Sequence, residues 1–275
     1  MLERKQLENH IIQGDSLQVL KDFPSDSINL IVTSPPYWAC RVYGNGTLGR
    51  EKNPLDYVDN LFPIISQCKR VLSADGSLYL NIGDLYFNTS GYSRNTGTRK
   101  RKTDSQYKKR DIAKPDGKYL QYKPLLLLPS RLAIRMQEDG WILRNSIIWR
   151  KTNPLPNHSP DRRLPVYEYI FHFVKSRKYY FDYDMAKKLG NYTDIMETNV
   201  EAFQEHLATF PERLIHPLIM TTSKPNDLVL DPFMGAGTVA VVCKKNQRHY
   251  VGIELVPENV RIAERRIKDC HNLFE

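Results

Sequence analysis

The residues best suited to chemistry form a short stretch near the start of the chain. Residues 33–38 read Thr-Ser-Pro-Pro-Tyr-Trp and follow the apolar run at residues 28–32, which predicts a buried parallel strand. Because two consecutive prolines lack N–H groups and have fixed φ angles, the chain must leave the sheet here, at the carboxyl end of a strand, where open α/β sheets bind ligands. Ser34 and the Pro35 carbonyl can accept hydrogen bonds, and Tyr37 adds a flat aromatic face. The stretch suits an exocyclic amino group on a planar base, and a proline-rich turn with core aromatics explains it equally well.

A second stretch, at residues 231–238, could hold a cofactor. It reads Asp-Pro-Phe-Met-Gly-Ala-Gly-Thr, follows the apolar run Leu228–Leu230 and leads into a predicted helix at residues 239–245. Glycine is needed where the backbone approaches a ligand closely and adopts a positive φ. A further predicted strand, Tyr250–Ile253, ends at Glu254, whose carboxylate is suited to accept hydrogen bonds from both hydroxyls of a ribose. These residues predict a cofactor that contains a ribose.

The glycine-rich stretch also fits a dinucleotide-binding fingerprint, so a nicotinamide-dependent dehydrogenase is a rival interpretation. A dinucleotide fold needs a second βαβ half after the fingerprint, but only a predicted helix at residues 257–270 and a short tail follow Glu254. The missing strands must therefore come from upstream. We expect the strands that lead to Asp15 and Ser34 to complete the sheet beside the strand that ends at Asp231.

Together, the two stretches resemble the amino-methylating DNA methyltransferases, which use S-adenosylmethionine to methylate the exocyclic nitrogen of cytosine or adenine. The catalytic motif comes first and the cofactor motif last, and this order is similar to the subclass called beta. Ser34 at the head of the Ser-Pro-Pro-Tyr motif resembles the cytosine-N4 enzymes of restriction-modification systems, because the adenine-N6 enzymes usually have Asp or Asn there. The resemblance implies site-specific methylation of cytosine N4 in double-stranded DNA, with adenine N6 as the alternative and a cognate restriction endonuclease as a candidate partner.

The resemblance also implies roles for individual residues. The catalytic turn comprises Ser34, Pro35, Pro36 and Tyr37, with Tyr37 stacked on a flipped base. Asp15 lies near the adenine ring of the cofactor, although an ordinary helix N-cap explains it locally as well. The cofactor-binding residues implied are Asp15, Thr33, Phe210, Pro211, Asp231, Phe233, Gly235, Gly237, Thr238 and Glu254. Methyl transfer is then a direct displacement in which positioning supplies most of the rate, and neither a cysteine nucleophile nor a metal is required.

The fold class predicted is α/β, a doubly wound and mostly parallel sheet of the Rossmann-like methyltransferase type with permuted motif order. Apolar spacing predicts helices at residues 17–23, 57–72 and 125–137, and strands at residues 77–83, 141–149 and 167–174. We expect a single domain at residues 1–275. It contains a basic loop insertion at about 87–122 and a small target-recognition segment at about 176–208.

The formal charge of +9 and the pI of 9.2 favour a polyanionic partner. The basic loop is poor in aliphatic residues, and a loop of this length is usually functional or disordered. A solvated charge run, or a DNA-binding protein without catalytic activity, are the alternatives. Lys151 and Asn153 follow a predicted strand and are further candidates for DNA contact, whereas Trp149 is expected in the core. The DNA-binding residues predicted are Arg99, Lys100, Arg101, Lys102, Lys108, Lys109, Arg110, Lys151 and Asn153.

The four cysteines fall in no metal-ligand spacing, which argues for a reducing compartment and against zinc. No window approaches eighteen apolar residues, roughly the length that spans a bilayer, and no signal peptide is evident. We therefore expect a soluble, cytoplasmic protein. The sequence does not distinguish a monomer from a homodimer.

Overall fold

The computed structural model describes residues 2–39, 46–87, 114, 120–121, 123–154, 159–199 and 210–270. Within these residues the chain alternates between strands and helices. The strands are β1 (His10–Gln13), β2 (Ile28–Thr33), β3 (Leu72–Ile82), β4 (Ile142–Lys151), β5 (Tyr167–Val174), β6 (Ile195–Thr198), β7 (Leu228–Asp231) and β8 (His249–Glu254). The helices are α1 (Arg4–Leu7), α2 (Ser16–Leu20), α3 (Pro54–Val71), α4 (Leu128–Glu138), α5 (Tyr183–Lys188), α6 (Glu212–Thr222), α7 (Thr238–Lys245) and α8 (Pro257–Asp269).

The strands form a single sheet in the order β1-β8-β7-β2-β3-β5-β4-β6. All neighbouring pairs are parallel except those of β5, which runs antiparallel to both β3 and β4. The predicted mostly parallel α/β sheet is therefore confirmed. The strand before Ser34 lies directly beside β7, as expected, but β1 pairs with β8 at the edge of the sheet instead of with β7.

Helices cover both faces of the sheet, and the central strands β2 and β7 are rich in apolar residues and buried at nearly every position, which is typical of strands covered on both sides. One core lies under α2, α3 and α4 and includes Phe23, Leu61 and Leu132. The other lies under α6 and α7 and includes Leu218 and Val241. Helix α3 begins at an Asn53 cap whose side chain accepts a hydrogen bond from the Leu55 backbone, and proline occupies its first turn. The sheet is thus doubly wound, as predicted.

Several segments differ from the sequence-based expectation. Strand β3 begins at Leu72, five residues before the start of the strand predicted at residues 77–83. The polar segment after Tyr179 contains α5 and the strand β6, which adds in parallel to β4 at the sheet edge. Its short length and single buried side chain, Met196, hide the alternation that marks a strand. Helix α4 begins three residues later than predicted because Leu127 adopts a left-handed φ of 55° and Pro129 occupies the first turn.

Trp149 is buried, as predicted, and its Nε1 donates a hydrogen bond to Thr198 on β6. Among the helices of the described ranges, none combines the length and the apolar character needed to cross a bilayer.

Candidate active site and cofactor cavity

A cavity of about 360 Å³ opens where β2, β7 and β8 end and where α2 begins. It brings together most of the predicted site residues that the structure describes, although they come from both ends of the chain. Five of the predicted catalytic and cofactor-binding residues do not line it, namely Thr33, Pro35, Tyr37, Pro211 and Gly237. The predicted residues in its wall are Asp15, Ser34, Pro36, Phe210, Asp231, Phe233, Gly235, Thr238 and Glu254.

Glu254 lies at the end of β8 and is held by donors close to it in sequence. Its Oε2 accepts a hydrogen bond from the Gly235 backbone at 2.8 Å, and its Oε1 accepts from the Val256 backbone at 2.7 Å and from Asn259 at 3.2 Å. The residue is 8% exposed. A carboxylate has about four acceptor sites, so this fixed side chain can still accept from a ligand hydroxyl.

Asp15 caps a helix and also lies in the wall of the cavity. Its side chain caps α2 by accepting a hydrogen bond from the Gln18 backbone at 3.1 Å, and the same residue lines the cavity. The next residue, Ser16, is buried and donates to the Pro232 carbonyl at 2.6 Å. That contact ties the start of α2 to the turn after β7, so the two sides of the cavity are held at a fixed separation.

Asp231, at the end of β7, is a buried carboxylate that is 2% exposed. Its Oδ1 accepts from the Thr33 hydroxyl at 2.7 Å and from the Phe233 backbone at 3.0 Å. Burial, with a smaller contribution from the charge of Glu254, raises the pKa of Asp231 to about 7 despite these two hydrogen bonds. Thr33, predicted to bind cofactor, therefore contacts Asp231 and supports the cavity wall from behind.

The two glycines of the cofactor motif have different functions. Gly235, with φ of 54°, lines the cavity and directs its N–H to Glu254. Gly237, with φ of 81°, begins α7, and a Cβ there would lie 2.8 Å from the Cβ of Ala263 on α8. Gly237 is not among the residues that line the cavity, and glycine there allows a left-handed turn and close helix packing. Its contact with the cofactor stays a prediction.

The turn after β2 presents Ser34 and Pro36 to the same cavity. The Tyr37 hydroxyl donates to Glu168 Oε2 at 2.7 Å, lies 3.3 Å from Asn81 Oδ1, and accepts from the Ser34 hydroxyl at 3.4 Å. Burial, followed by the charge of Glu168, raises the pKa of Tyr37 well above its usual range. The phenol is thus a neutral donor whose ring is fixed at its hydroxyl end. Trp38 is buried, as the core interpretation of this turn predicts.

Sequence reasoning missed Glu168, at the start of β5. The strand runs antiparallel to β3, so its first residues reach the sheet edge at which the parallel strands end. Lys151 forms an ion pair with Glu168 and so lies beside the catalytic turn. Asn153 is exposed, two residues after Lys151 at the end of β4. The sequence shows a carboxylate at the start of a predicted strand. That position indicates a site residue only when the direction of the strand in the sheet is known.

The remaining predicted DNA-binding residues lie outside the described residues, as does most of the basic loop. They are Arg99, Lys100, Arg101, Lys102, Lys108, Lys109 and Arg110. The last part of the predicted target-recognition segment, residues 200–208, also lies outside them.

Solved structures share this fold. The chain aligns with the PvuII DNA methyltransferase (cytosine-N4-specific) at a TM-score of 0.72 and 23% identity, over 94% of this chain and 86% of that one. It also aligns with a DNA modification methylase from Thermus thermophilus, complexed with S-adenosyl-L-methionine, at a TM-score of 0.68 and 24% identity, over 95% and 94% of the two chains. At these identities, the likeness establishes the fold.

Sequence comparisons establish the family. The chain is 42% identical to the type II methyltransferase M.Cfr9I of Citrobacter freundii over 94% of its own length and 87% of that protein's length. A family model for N6 and N4 methyltransferases, described as DNA methylase, matches residues 28–265. The methyl donor of this family is S-adenosyl-L-methionine. The chain therefore belongs to the N6/N4 DNA methylases, the enzymes that methylate exocyclic amino groups of DNA bases.

Proposed function

We propose that this protein transfers a methyl group from S-adenosyl-L-methionine to N4 of a cytosine at a specific site in double-stranded DNA. The observation that supports the proposal most directly is the shared cavity of Ser34 with Asp231 and Glu254. A neutral hydroxyl in the catalytic turn and the carboxylates of the cofactor motif face one space. An amino group held by Ser34 would therefore lie next to the methyl donor.

The chemistry of the cavity wall fits this cofactor. When bound, S-adenosyl-L-methionine supplies an electrophilic methyl group on a positively charged sulfur. Glu254 has an acceptor site left for a ribose hydroxyl, and Asp15 lies in the same wall for the adenine. Asp231 is a buried carboxylate with a raised pKa, which the positive charges of the methionine end would stabilise in its ionised form. Phe210 and Phe233 supply apolar surface between these polar residues.

The catalytic turn can orient a flipped cytosine. Flipping a base out of duplex DNA costs a few kcal/mol, about the value of a few good contacts in the pocket. Ser34 and the Pro35 carbonyl would accept the two N–H groups of the cytosine amino group, so that the nitrogen lone pair faces the methyl donor. The Tyr37 ring, fixed by Glu168, would stack on the base. Such positioning converts an encounter of two substrates into a reaction within one complex.

Adenine N6 is the second candidate, and one observation favours it. The adenine enzymes that this chain resembles usually have Asp or Asn at the first position of the motif, where this chain has Ser34. The Glu168 carboxylate lies close behind Ser34, linked through Tyr37, so an acidic group is present near the amino group after all. The two bases present the same amino group beside a ring nitrogen, and net hydrogen-bond differences of about 0.5–1.5 kcal/mol separate them.

The product identifies the substrate. DNA from cells that express the protein is digested to nucleosides and analysed by mass spectrometry, with a Ser34→Ala strain as the control. We expect N4-methylcytosine in the wild-type strain and its loss in the variant. N6-methyladenine without N4-methylcytosine would contradict the assignment of cytosine as the substrate. Detection of 5-methylcytosine would contradict the mechanism of amino-group methylation.

Because the relative with 42% identity is a type II methyltransferase, we also propose a cognate restriction endonuclease. Mapping the modified bases at single-nucleotide resolution gives the recognition sequence. An endonuclease specific for that sequence should fail to cut DNA that this protein has methylated. Cleavage that is unaffected by methylation would contradict the pairing.

A further inference from the structure

Three side chains behind the catalytic turn form a directed chain of hydrogen bonds. The Ser34 hydroxyl donates to the Tyr37 hydroxyl at 3.4 Å, and the Tyr37 hydroxyl donates to Glu168 Oε2 at 2.7 Å. Because each proton points toward Glu168, the lone pairs of Ser34 are left free toward the cavity. The base's amino group can donate only to an acceptor, so this direction suits its N–H.

The surroundings of Glu168 hold its carboxylate in this position. Lys151 forms an ion pair with Oε1, and the Asn81 side chain donates to Oε2 at 3.1 Å while also donating to the Tyr169 carbonyl. The Glu168 side chain is 14% exposed, which leaves a route for exchange with water. A Cβ at Gly83 would lie 3.1 Å from the Tyr37 ring and 3.2 Å from the Glu168 side chain. Glycine therefore allows the two side chains to approach the end of β3 closely.

Within the described residues, the following charged and titratable groups surround these three side chains. Tyr37 and Lys151 contact Glu168 directly, and Asn81 is the neutral contact from β3. Asp84, whose pKa burial raises, follows β3. Tyr169 follows Glu168 on β5, and Tyr57 on α3 makes a small contribution to the raised pKa of Tyr37. In the cofactor cavity, Asp231 is the group that titrates near neutral pH.

We propose that Ser34, Tyr37 and Glu168 form a proton relay that removes the proton lost by the target amino group. The inference rests on the proposed function of the catalytic turn and assigns Glu168 as the terminal acceptor. As the amino nitrogen forms its new N–C bond, the S–C bond breaks and its electron pair stays on sulfur. One amino proton passes to Ser34 Oγ, the Ser34 proton passes to Tyr37, and the Tyr37 proton passes to Glu168 Oε2. Glu168 becomes a neutral acid and later releases the proton to water.

The relay predicts that the rate of methyl transfer falls at low pH. The rate of methyl transfer is measured in a single turnover, with protein in excess over duplex DNA and with saturating cofactor, across a pH series. The wild-type rate should fall at acidic pH because a protonated Glu168 cannot accept. Glu168→Gln and Tyr37→Phe, which preserve shape, should each lower the plateau rate by about a hundred-fold and abolish the acidic fall. The double variant should be no slower than either single variant, since both break one relay.

Two further variants separate the relay from a merely structural contact. Lys151→Met removes the ion-pair partner but leaves the proton acceptor in place, so it should lower the rate less than Glu168→Gln does. Glu258→Gln, an exposed glutamate paired with Arg261 on α8, is the matched control and should leave rate and profile unchanged. Calorimetric binding of S-adenosyl-L-methionine, and the fluorescence of 2-aminopurine at the target position, should be the same in all variants.

The outcomes are distinct. A Glu168→Gln variant that keeps the wild-type rate, or one that is slow but keeps the acidic fall, overturns the relay. So does a double variant in which the two losses multiply. A product other than an amino-methylated base overturns the proposed function itself, and the nucleoside analysis detects that independently of any rate.

Discussion

The two halves of the sheet build the site in different ways. The cofactor half, β1, β8, β7 and β2, is entirely parallel, and its carboxylates at strand ends are held mainly by backbone N–H groups nearby in sequence. Glu254 accepts from Gly235, nineteen residues away, and Asp231 accepts from Phe233, two residues away. Thr33, 198 residues before Asp231, adds one long-range hydrogen bond. Apart from that contact, the partners of these carboxylates lie in local motifs that can be recognised from short stretches of sequence.

The base-side half consists of β3, β5, β4 and β6 together with the turn that follows β2, and it contains the antiparallel strand β5. Its polar contacts join side chains that are far apart in the chain: Tyr37 and Glu168 are separated by 131 residues and Asn81 and Glu168 by 87. Antiparallel pairing delivers the start of β5 to the edge at which the parallel strands end. In a mixed sheet, a site residue can therefore come from the start of an antiparallel strand or from the end of a parallel one. Only the sheet topology shows which of the two applies.

The largest expected effect tests whether the base-side half also contains the DNA-binding surface. Replacing Arg99, Lys100, Arg101 and Lys102 with Ala should weaken duplex binding and flatten its salt dependence by about one unit of log–log slope per lost phosphate contact. If all four contact phosphates, the loss at about 0.1 M salt approaches a thousand-fold. Fluorescence anisotropy over a salt series measures both quantities.

A matched control keeps the change in net charge but moves it to the cofactor half. Lys5, Arg261, Arg265 and Lys268 are exposed on α1 and α8, and their replacement with Ala should change affinity only weakly. Equal losses in the two quadruple variants would show that net charge, and not a basic surface at the loop, drives binding.

The next effect tests whether the halves are functionally separable. Ser34→Ala should lower turnover by about a hundred-fold, because it removes an acceptor for the amino group. The affinity for S-adenosyl-L-methionine should stay nearly unchanged, because Asp231 and Glu254 remain in place. Turnover assays and calorimetry on the same preparation, with exposed Ser25→Ala as the control, measure the two. A parallel loss of cofactor affinity would show that the halves are coupled.

The same contrast explains how far the sequence could be interpreted. The order of apolar runs and turns predicted the sheet, and the residues of the cofactor cavity followed from motifs that fold locally. Glu168 could not be found, because the run around β5 does not indicate its direction. Asn81 and Gly83 lie in an ordinary predicted strand, and their importance comes from contact with Tyr37 and Glu168. Strand β6 was missed because a four-residue edge strand with one buried side chain lacks a periodic signal.

A smaller effect concerns the cofactor half alone. Glu254→Ala should weaken S-adenosyl-L-methionine binding by about 1–3 kcal/mol, since the ribose hydroxyls lose their acceptor and the Gly235 backbone loses its partner. Calorimetry measures the change, and Glu258→Ala, at an exposed position in the first turn of α8, should match the wild type. Tight binding of a nicotinamide dinucleotide by the wild type, with no binding of S-adenosyl-L-methionine, would falsify the assignment of this cavity.

The smallest effect is a pH dependence that the base-side half should not influence. Burial raises the pKa of Asp231 to about 7, above its ordinary value, so its protonated form stabilises the free protein below that ordinary value and this contribution is lost as pH rises through about 7. A cationic ligand favours the ionised form, and cofactor affinity should therefore rise by about ten-fold between about pH 6 and about pH 8. Asp231→Asn should flatten this dependence, whereas Glu168→Gln should leave it intact. Calorimetry of cofactor binding at several pH values distinguishes the two variants. An unchanged pH profile in Asp231→Asn would show that another group titrates. A flattened pH profile in Glu168→Gln would show that the two halves of the sheet share one electrostatic site.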